Sequence, residues 1–226
     1  MRRYLVPLIF GIAGTAVLVA LGVWQAQRLA WKEGVLADIE ARIAAAPVAL
    51  PADPDPVEDR YLPVRVSGEI GTRELHVLVS MKSAGAGYRI IAPFETDAGR
   101  RILVDRGFVR NEDKALDRPK GAATLVGNLH WPDEIDGFTP DPDIAGNTWF
   151  ARDLPAMAAG LDTEPLLLVV RESSLDGSGL LPLPVSTEGI PNDHLEYAVT
   201  WFGLALVWAG MTIFLLWRIR QRKAEP

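Results

Sequence analysis

Pro191-Asn-Asp-His194-Leu-Glu-Tyr197 opens the stretch that decides the fold, and a long apolar run follows it. Residues 197–217 include no charged side chain, and Arg218-Ile-Arg-Gln-Arg-Lys223 comes directly after them. A helix of that length reaches about 30 Å, which is the thickness of a bilayer core. Asn192 or Asp193 can accept hydrogen bonds from the free N–H groups of the first turn. The stretch therefore predicts a capped transmembrane helix over 197–217, with a histidine at the membrane surface.

A second uncharged run stands near the other end of the chain, over residues 4–24. It is longer than the apolar part of a signal peptide, and Trp24, Gln25 and Arg28 stand at its end with no Ala-x-Ala site among them, which favours a first transmembrane helix over a cleaved leader. The helical pattern continues as an extension over 25–46 and ends before Pro47. A Pro/Asp-rich linker then leads into a central domain over 60–190, which is long enough to have its own core.

Charge is divided unevenly between the tails and the middle. Arg2 and Arg3 precede the first run, and the basic tail 218–226 follows the second. Residues 25–196 contain 17 basic and 28 acidic residues, a net charge of −11. Lys and Arg next to membrane spans favour the cytoplasm, so we expect both termini there and the domain outside. With a span that starts at Tyr4 and no Arg/Ser-rich leader, the pattern indicates a bacterial inner-membrane protein with a periplasmic domain.

Composition excludes several classes of function. An acidic domain argues against nucleic acid as a partner, because phosphate binding needs the opposite charge. The chain has no cysteine. Disulfides, thiolate metal sites and covalent c-type haem attachment are thereby excluded.

The central domain reads as β-rich. Short Val-, Ile- and Leu-rich runs separated by Gly predict strands, and residues 96–100 (Thr-Asp-Ala-Gly-Arg) read as a hairpin turn. A short helix is expected over 153–160, with Pro155 in its first turn. The fold class we expect is a membrane protein in which two transmembrane helices flank an antiparallel, barrel- or sandwich-like domain. The six predicted strands are Val64–Ile70, Glu74–Met81, Gly87–Thr96, Arg101–Val109, Thr124–Trp131 and Leu166–Glu172.

Enzyme signatures are missing from the sequence. It contains no Gly-x-Ser-x-Gly elbow, no phosphate-binding glycine loop and no His-x-x-x-His pair. A Ser/His/Asp triad stays open because its members need not be adjacent in the chain, so a membrane-anchored hydrolase is kept as one alternative. We otherwise expect a protein that is not an enzyme.

Two further groups of residues contain charged side chains that could have a function. On a helix Trp24, Arg28 and Trp31 share one face, either as a membrane anchor or as a cationic, aromatic rim for a flat anionic ligand. Asp105-Arg106-Gly107 follows a strand, where an ion pair closing a turn is the simpler interpretation.

His194 stands where the outer domain meets the bilayer. Neutral imidazole is a common ligand of haem iron, and Tyr197 and Trp201, three and seven residues further on, could flank a porphyrin. A histidine at a helix start can equally serve as a capping or hydrogen-bonding residue. The residues alone leave both interpretations open.

Six segments in order resemble the surfeit locus protein 1 family. The resemblance begins in the first span and ends in the last, so it covers the chain from end to end. Each segment alone is a weak match, and the resemblance is specific because all six occur in the same order as in the family. The segments are Leu21–Lys32, Tyr61–Gly68, Gly87–Phe94, Ile102–Val109, Phe138–Pro140 with Asn147–Asp153, and Asn192–Phe202.

The resemblance implies an assembly factor for haem–copper terminal oxidase that binds haem a transiently and aids its insertion. It places the haem iron on His194, and we expect Tyr197, Trp201 and Trp24 to form the walls of the site. Because the domain is acidic, Arg28 and Arg106 are expected near the haem propionates. Asp193 departs from the asparagine that we associate with many members; it could orient the imidazole or repel the propionates.

The partners implied are the catalytic subunit of a haem–copper oxidase, haem a synthase and membrane lipid. The alternative is a scaffold that stabilises an oxidase assembly intermediate without binding haem. Whether the client is a cytochrome c or a quinol oxidase is left open by the sequence, as are the second axial ligand and the oligomeric state.

Overall fold

The computed structural model describes residues 2–82, 84–175 and 179–221, with the side chains of residues 2 and 3 left out. The chain divides into two compact units, one made of Met1–Asp38 with Thr187–Pro226 and the other of Ile39–Ser186. Of the basic tail, Arg222 and Lys223 lie outside the described residues.

Two long helices occupy the ends of the chain. Helix α1 spans Arg2–Ala44 and helix α3 spans His194–Gln221. Both are long and apolar enough to cross a membrane by length and composition. Their apolar surfaces are largely exposed in the protein alone, in contrast to the core helix of a soluble domain, which would be mostly buried.

Small residues of α1 lie against large side chains of α3. A Cβ added at Gly11 would lie 2.1 Å from Cγ2 of Thr212, and one at Gly14 would lie 2.3 Å from Nε1 of Trp208. Such positions let helix backbones approach closely in a membrane. Glycines of α1 therefore line its contact with α3, whereas Gly203 of α3 has no described atom within 4 Å of its added Cβ.

In the described part of the second unit, seven strands form one mixed sheet in the order β1-β2-β6-β7-β5-β4-β3. All six predicted strands are present within a few residues of their expected bounds. The strands are β1 (Val48–Ala49), β2 (Pro63–Ile70), β3 (Leu75–Met81), β4 (Gly85–Thr96), β5 (Arg101–Arg110), β6 (Gly121–His130) and β7 (Leu167–Ser173).

The expected antiparallel barrel or sandwich is wrong. Strand β1 pairs parallel with β2, and β5 pairs parallel with β7, so the sheet is mixed. The sheet curls enough for β2 to meet β4 over three residue pairs, Gly68–Ile70 against Phe94–Thr96. The result is one curled sheet, neither a regular barrel nor two packed sheets. Gly68 permits the contact, because a Cβ there would lie 2.0 Å from the Glu95 carbonyl oxygen.

The sheet buries apolar side chains on both faces. In β5, Ile102 and Val104 point into one core, and Leu103 points into the other. Helix α2 (Leu154–Leu161) covers the second core with Leu154, Met157, Ala158 and Leu161. Asp153 caps this helix, since its carboxylate accepts a hydrogen bond from the Ala156 N–H at 3.1 Å. The predicted helix over 153–160 is confirmed within one residue.

The predicted turn over 96–100 is also confirmed. Thr96 N–H donates to the Arg100 carbonyl at 2.8 Å, and Gly99 adopts a φ of 80° between β4 and β5. A residue with a side chain is strained at such a φ, so the glycine is part of the turn signal.

Candidate functional site

His194 is held by a residue of the other long helix. Its Nδ1 lies 2.8 Å from Oε1 of Gln25, and Gln25 is buried, at 8% exposure. An amide oxygen can only accept a hydrogen bond, so Nδ1 carries the ring proton. The lone pair of Nε2 is then free for a metal or a donor group. Sequence reasoning missed Gln25, whose only signal was an uncharged polar side chain at the end of an apolar run.

Nε2 of His194 is the ring nitrogen that would bind a haem iron. Metal-bound histidines usually donate their other N–H to an oxygen, which fixes the tautomer and the ring orientation. The Gln25–His194 pair has this arrangement, so the imidazole fits the group expected from the sequence. Among the described residues there is no cluster of three or more His, Asp or Glu that could hold a metal ion by itself.

Asn192 adds an unused acceptor beside His194. Its Oδ1 is buried and has no hydrogen-bond partner among the described residues. A buried carbonyl oxygen without a donor is uncommon in proteins, because its desolvation is not compensated. An acceptor in this position suits a ligand that carries a hydroxyl group or a protonated carboxyl group.

The aromatic residues expected around His194 differ in how far they are buried. Trp201 is half-buried and lies between the buried Ala198 and Ala205, one heptad after His194. Tyr197 is 55% exposed, which places it away from the packed face of α3. Of the two expected walls on α3, Trp201 is therefore the more buried.

Trp24 and Arg28 lie on an exposed face of α1. Trp24 is 52% exposed, and the Arg28 guanidinium carbon lies 4.3 Å from the centre of the Trp31 ring. This cation–π contact joins two of the three residues, Trp24, Arg28 and Trp31, that were predicted to share one face of the helix. Gln25 is on the neighbouring buried face of α1, which contacts α3, whereas Trp24, Arg28 and Trp31 are on a face of α1 that is exposed in the protein alone.

Arg106 belongs to the sheet unit and is buried, at 8% exposure. It does not pair with Asp105, because successive strand residues point to opposite faces. The ion pair expected within Asp105-Arg106-Gly107 is therefore wrong. Nη2 of Arg106 donates to the Pro119 carbonyl at 2.7 Å, while Asp105 binds other residues.

Asp105 is the centre of a buried charge network on the other face of β5. The Asp105 side chain is fully buried; its Oδ2 lies 2.5 Å from Nη1 of Arg89 and 3.6 Å from Nη1 of Arg152. Arg152 binds Glu134 as well, through Nη2 at 2.5 Å. Such a network stabilises only when every member has its partner. We assign it to the fold of the domain.

His130 lies beside this network in a neutral form. Burial lowers the pKa of His130 to about 4, and the positive charges of Arg152, Arg60 and Arg89 act in the same direction, against Glu134. Its ring stacks on Tyr61 with 5.6 Å between the centroids. His76 has a structural place too, with Nε2 at 2.9 Å from Oε1 of Glu74.

Comparison with known proteins gives one consistent family. The model of the SURF1 family matches residues 12–206. Surfeit locus protein 1 of Homo sapiens is 33% identical over 209 residues, which cover 82% of this chain and 69% of the human protein. A SURF1-like protein of Rickettsia bellii is 33% identical over 224 residues, which cover 92% of this chain and 88% of the relative. The counterpart from Xenopus tropicalis is 34% identical over 209 residues, 82% of this chain and 67% of its own.

Proposed function

Because the chain belongs to the SURF1 family, we propose that it is a membrane-anchored assembly factor for a haem–copper terminal oxidase. In this proposal it is not an enzyme. It holds haem a for a short time through His194 and presents it to the catalytic subunit of the oxidase.

The hydrogen bond between Gln25 and His194 is the observation that carries the haem-binding part of the proposal. It keeps the proton on Nδ1 and leaves Nε2 unprotonated, which is the ring state that binds haem iron. Bound haem would supply the iron that accepts this lone pair. Gln25 orients the ring, and Asn192 offers an acceptor to a polar group of the ligand.

Trp201 forms one apolar wall of the proposed site, and the exposed Trp24 and Tyr197 flank its edge. Arg28 is the cation that we assign to the haem propionates. The cation–π contact of Arg28 with Trp31 involves the face of the indole ring and uses no N–H group as a hydrogen-bond donor. The N–H donors of the Arg28 guanidinium are therefore free for the propionates. Arg106 is left out of the haem site, because its guanidinium faces a cavity of the sheet unit.

The proposed location is a bacterial inner membrane, with α1 and α3 as spans, both termini in the cytoplasm and the sheet unit in the periplasm. Arg218 and Arg220 in the last turn of α3 support that orientation. Haem a synthase is a natural second partner in this scheme, because haem a is insoluble in water and its donor must also be in the membrane.

Spectroscopy of the purified protein tests the proposal. The protein is co-expressed with enzymes that make haem a, purified in detergent and examined by absorption and electron paramagnetic resonance. We expect bound haem a with histidine ligation in the wild type and in Gln27→Leu, whose exposed amide serves as a matched control. His194→Ala should lose most of the haem. Full haem content with an unchanged ligand-field spectrum in His194→Ala would contradict the ligand assignment.

A scaffold that binds the oxidase but not haem is the second candidate function. An apolar groove of about 480 Å³ on the helical unit favours it, with walls that include Phe10, Ala13, Val17 and Trp208. A groove of this kind can take a helix of a client protein. The scaffold function predicts that the catalytic subunit co-purifies with His194→Ala as well as with the wild type, and that no preparation contains haem a.

A further inference from the structure

A cavity of about 230 Å³ lies in the sheet unit, beyond the last residue pair between β5 and β7. These strands pair in parallel at Leu103–Leu167, Val104–Leu168 and Asp105–Val169, and no farther. The cavity opens from there. Its polar walls are Arg106, Arg171 and Ser173, and its apolar walls are Ile70, Leu125, Val170, Leu175, Leu180 and Pro182.

Both arginines stand at irregular positions of the sheet. Arg89 and Ile91 of β4 pair with Phe108 and Asp105 of β5, respectively. Between these two pairs, two residues of β5, Arg106 and Gly107, oppose a single residue of β4. Gly107 has a φ of 111°, which a residue with a side chain rarely adopts. A bulge of this kind redirects side chains and is frequent next to binding sites.

Strand β7 has the matching irregularity at Arg171. Val170 pairs with Gly127 of β6, and Glu172 pairs with Val126, which leaves Arg171 as the extra residue of β7. The extra residue of a bulge has no partner in the ladder, so its side chain is free to turn towards the cavity. Two independent bulges on adjacent strands thus bring two guanidinium groups to one place.

The charge of Arg106 is poorly compensated. Within the described part of the chain no carboxylate oxygen lies within 4 Å of its guanidinium, and its hydrogen bond goes to the neutral Pro119 carbonyl. Burial lowers the pKa of Arg106; Glu74 opposes this at longer range, and Arg118 adds to it. A buried cation without a close anion is costly, and an anionic ligand would remove that cost.

Arg171 also has donor capacity to spare. Its Nη1 donates to the Ile43 carbonyl at 3.0 Å, but its buried Nε has no hydrogen-bond partner. Oε1 of Glu172 lies 3.6 Å from this Nε, and the Glu172 side chain is 67% exposed to solvent. Since Nε is buried and faces Glu172, the donors left for an acceptor in the cavity are those of Nη2. No hydrogen bond of Nη2 is found among the described residues, and the Arg171 side chain is 23% exposed.

We propose that this cavity binds a small aliphatic monocarboxylate, with the carboxylate between Arg106 and Arg171 and the alkyl chain against the apolar walls. A volume of 230 Å³ corresponds to roughly eight water-sized groups at about 30 Å³ each. This fits a chain of about six carbons with its two oxygens. Inorganic phosphate would satisfy the arginines but leave the six apolar walls against water, so the carboxylate is favoured.

This proposal does not depend on haem binding, and its test uses the full-length protein in lipid nanodiscs. Hexanoate is the probe, detected by ligand-observed NMR against empty nanodiscs. Hexanol keeps the alkyl chain without the charge, and phosphate supplies the charge without the chain. We expect saturable binding of hexanoate only. Binding of hexanol with equal affinity, or no difference between protein-containing and empty nanodiscs, overturns the proposal.

Variants locate the binding. Arg106→Gln and Arg171→Gln should each weaken hexanoate binding at least tenfold, whereas Arg110→Gln should leave it unchanged. Arg110 is a matched control because it belongs to the same strand as Arg106 and its side chain is 60% exposed. Equal hexanoate affinity in Arg106→Gln and in the wild type contradicts the assignment.

A labelling experiment remains informative even if a buried arginine variant fails to fold. The chain has no cysteine, so Ser173→Cys places a single reactive thiol at the cavity rim. We expect saturating hexanoate to slow maleimide labelling of this thiol several-fold and to leave Glu112→Cys unaffected. An unchanged labelling rate at position 173 rejects the cavity as the binding place.

Discussion

Oε1 of Gln25 lies 2.8 Å from Nδ1 of His194, although 169 residues separate the two along the chain. In Gln25→Leu the ring loses its acceptor, and the fixed tautomer should give way to a mixture of both. The chain has three histidines, so nitrogen NMR with labelled histidine resolves three rings, and His194→Ala identifies the signal. We expect a shift of the His194 signals in Gln25→Leu and none in Gln27→Leu. Identical spectra for the wild type and Gln25→Leu would show that the hydrogen bond does not set the tautomer.

Close approach of the long helices depends on Gly14. Gly14→Leu should force Trp208 out of its place, because an added Cβ would lie 2.3 Å from its Nε1. We expect a lower thermal unfolding midpoint in detergent and a disturbed His194 nitrogen signal. Gly203→Leu is the matched control, since nothing lies within 4 Å of an added Cβ there. A midpoint loss of equal size in both variants would point to an effect of leucine itself.

The network around Asp105 should dominate the stability of the sheet unit. Asp105→Asn keeps the shape of the side chain but leaves Arg89 and Arg152 without their shared anion. Removing one partner of a buried ion pair typically costs about 3–5 kcal/mol. Tryptophan fluorescence during denaturant unfolding measures the loss.

A surface pair provides the comparison for that experiment. Asp162→Asn breaks an ion pair with Arg101 of similar length, 2.5 Å, but the Asp162 side chain is 83% exposed. Exposed pairs contribute about 0–1 kcal/mol, so this variant should stay close to the wild type. Equal losses in the two variants would refute the difference in burial as the cause.

His130 should make the domain less stable in acid. In the unfolded chain histidine takes up a proton near its ordinary pKa of 6.5, whereas in the fold burial and three arginines lower the pKa of His130 to about 4. The unfolded state therefore binds more protons between these values, and stability falls as pH falls from about 6.5 to about 4. The difference corresponds to at most about 3 kcal/mol.

The contribution of His130 is isolated by His130→Phe, which keeps a ring for stacking on Tyr61 but does not titrate. Denaturant unfolding at pH 7, 6, 5 and 4 should show a smaller loss of stability in this variant than in the wild type. Glu134, whose pKa is lowered by Arg152 despite the opposing effect of burial, titrates in both proteins and cancels in the comparison. Parallel pH profiles would rule out His130 as the acid-sensitive group.

Much of the local structure could be predicted from the sequence, because its signals are local. The strand runs, the turn at Gly99 and the cap at Asp153 depend on residues within a few positions of one another. The parallel pairing of β5 with β7 joins segments about sixty residues apart, and no local pattern encodes it. The expectation of an antiparallel domain failed for that reason.

The candidate site was predictable in part. The resemblance nominated His194, but its partner Gln25 depends on which face of α1 meets α3, and an apolar run does not show that. Periodicity placed Trp24, Arg28 and Trp31 on one face, and a contact between Arg28 and Trp31 is found there. The cavity between Arg106 and Arg171 was missed, because bulges shift the strand alternation on which the reading relied.

The pairing of Gln25 with His194 also has a consequence for biogenesis. Ribosomes make the N-terminal end first, at about 5–20 residues per second. Gln25 is thus synthesised on the order of ten to thirty seconds before its histidine partner exists. Every strand of the sheet is translated in that interval. Until then the nascent chain lacks the ring that the proposed function assigns to iron, so in that proposal haem binding has to wait until the whole sheet unit has been translated.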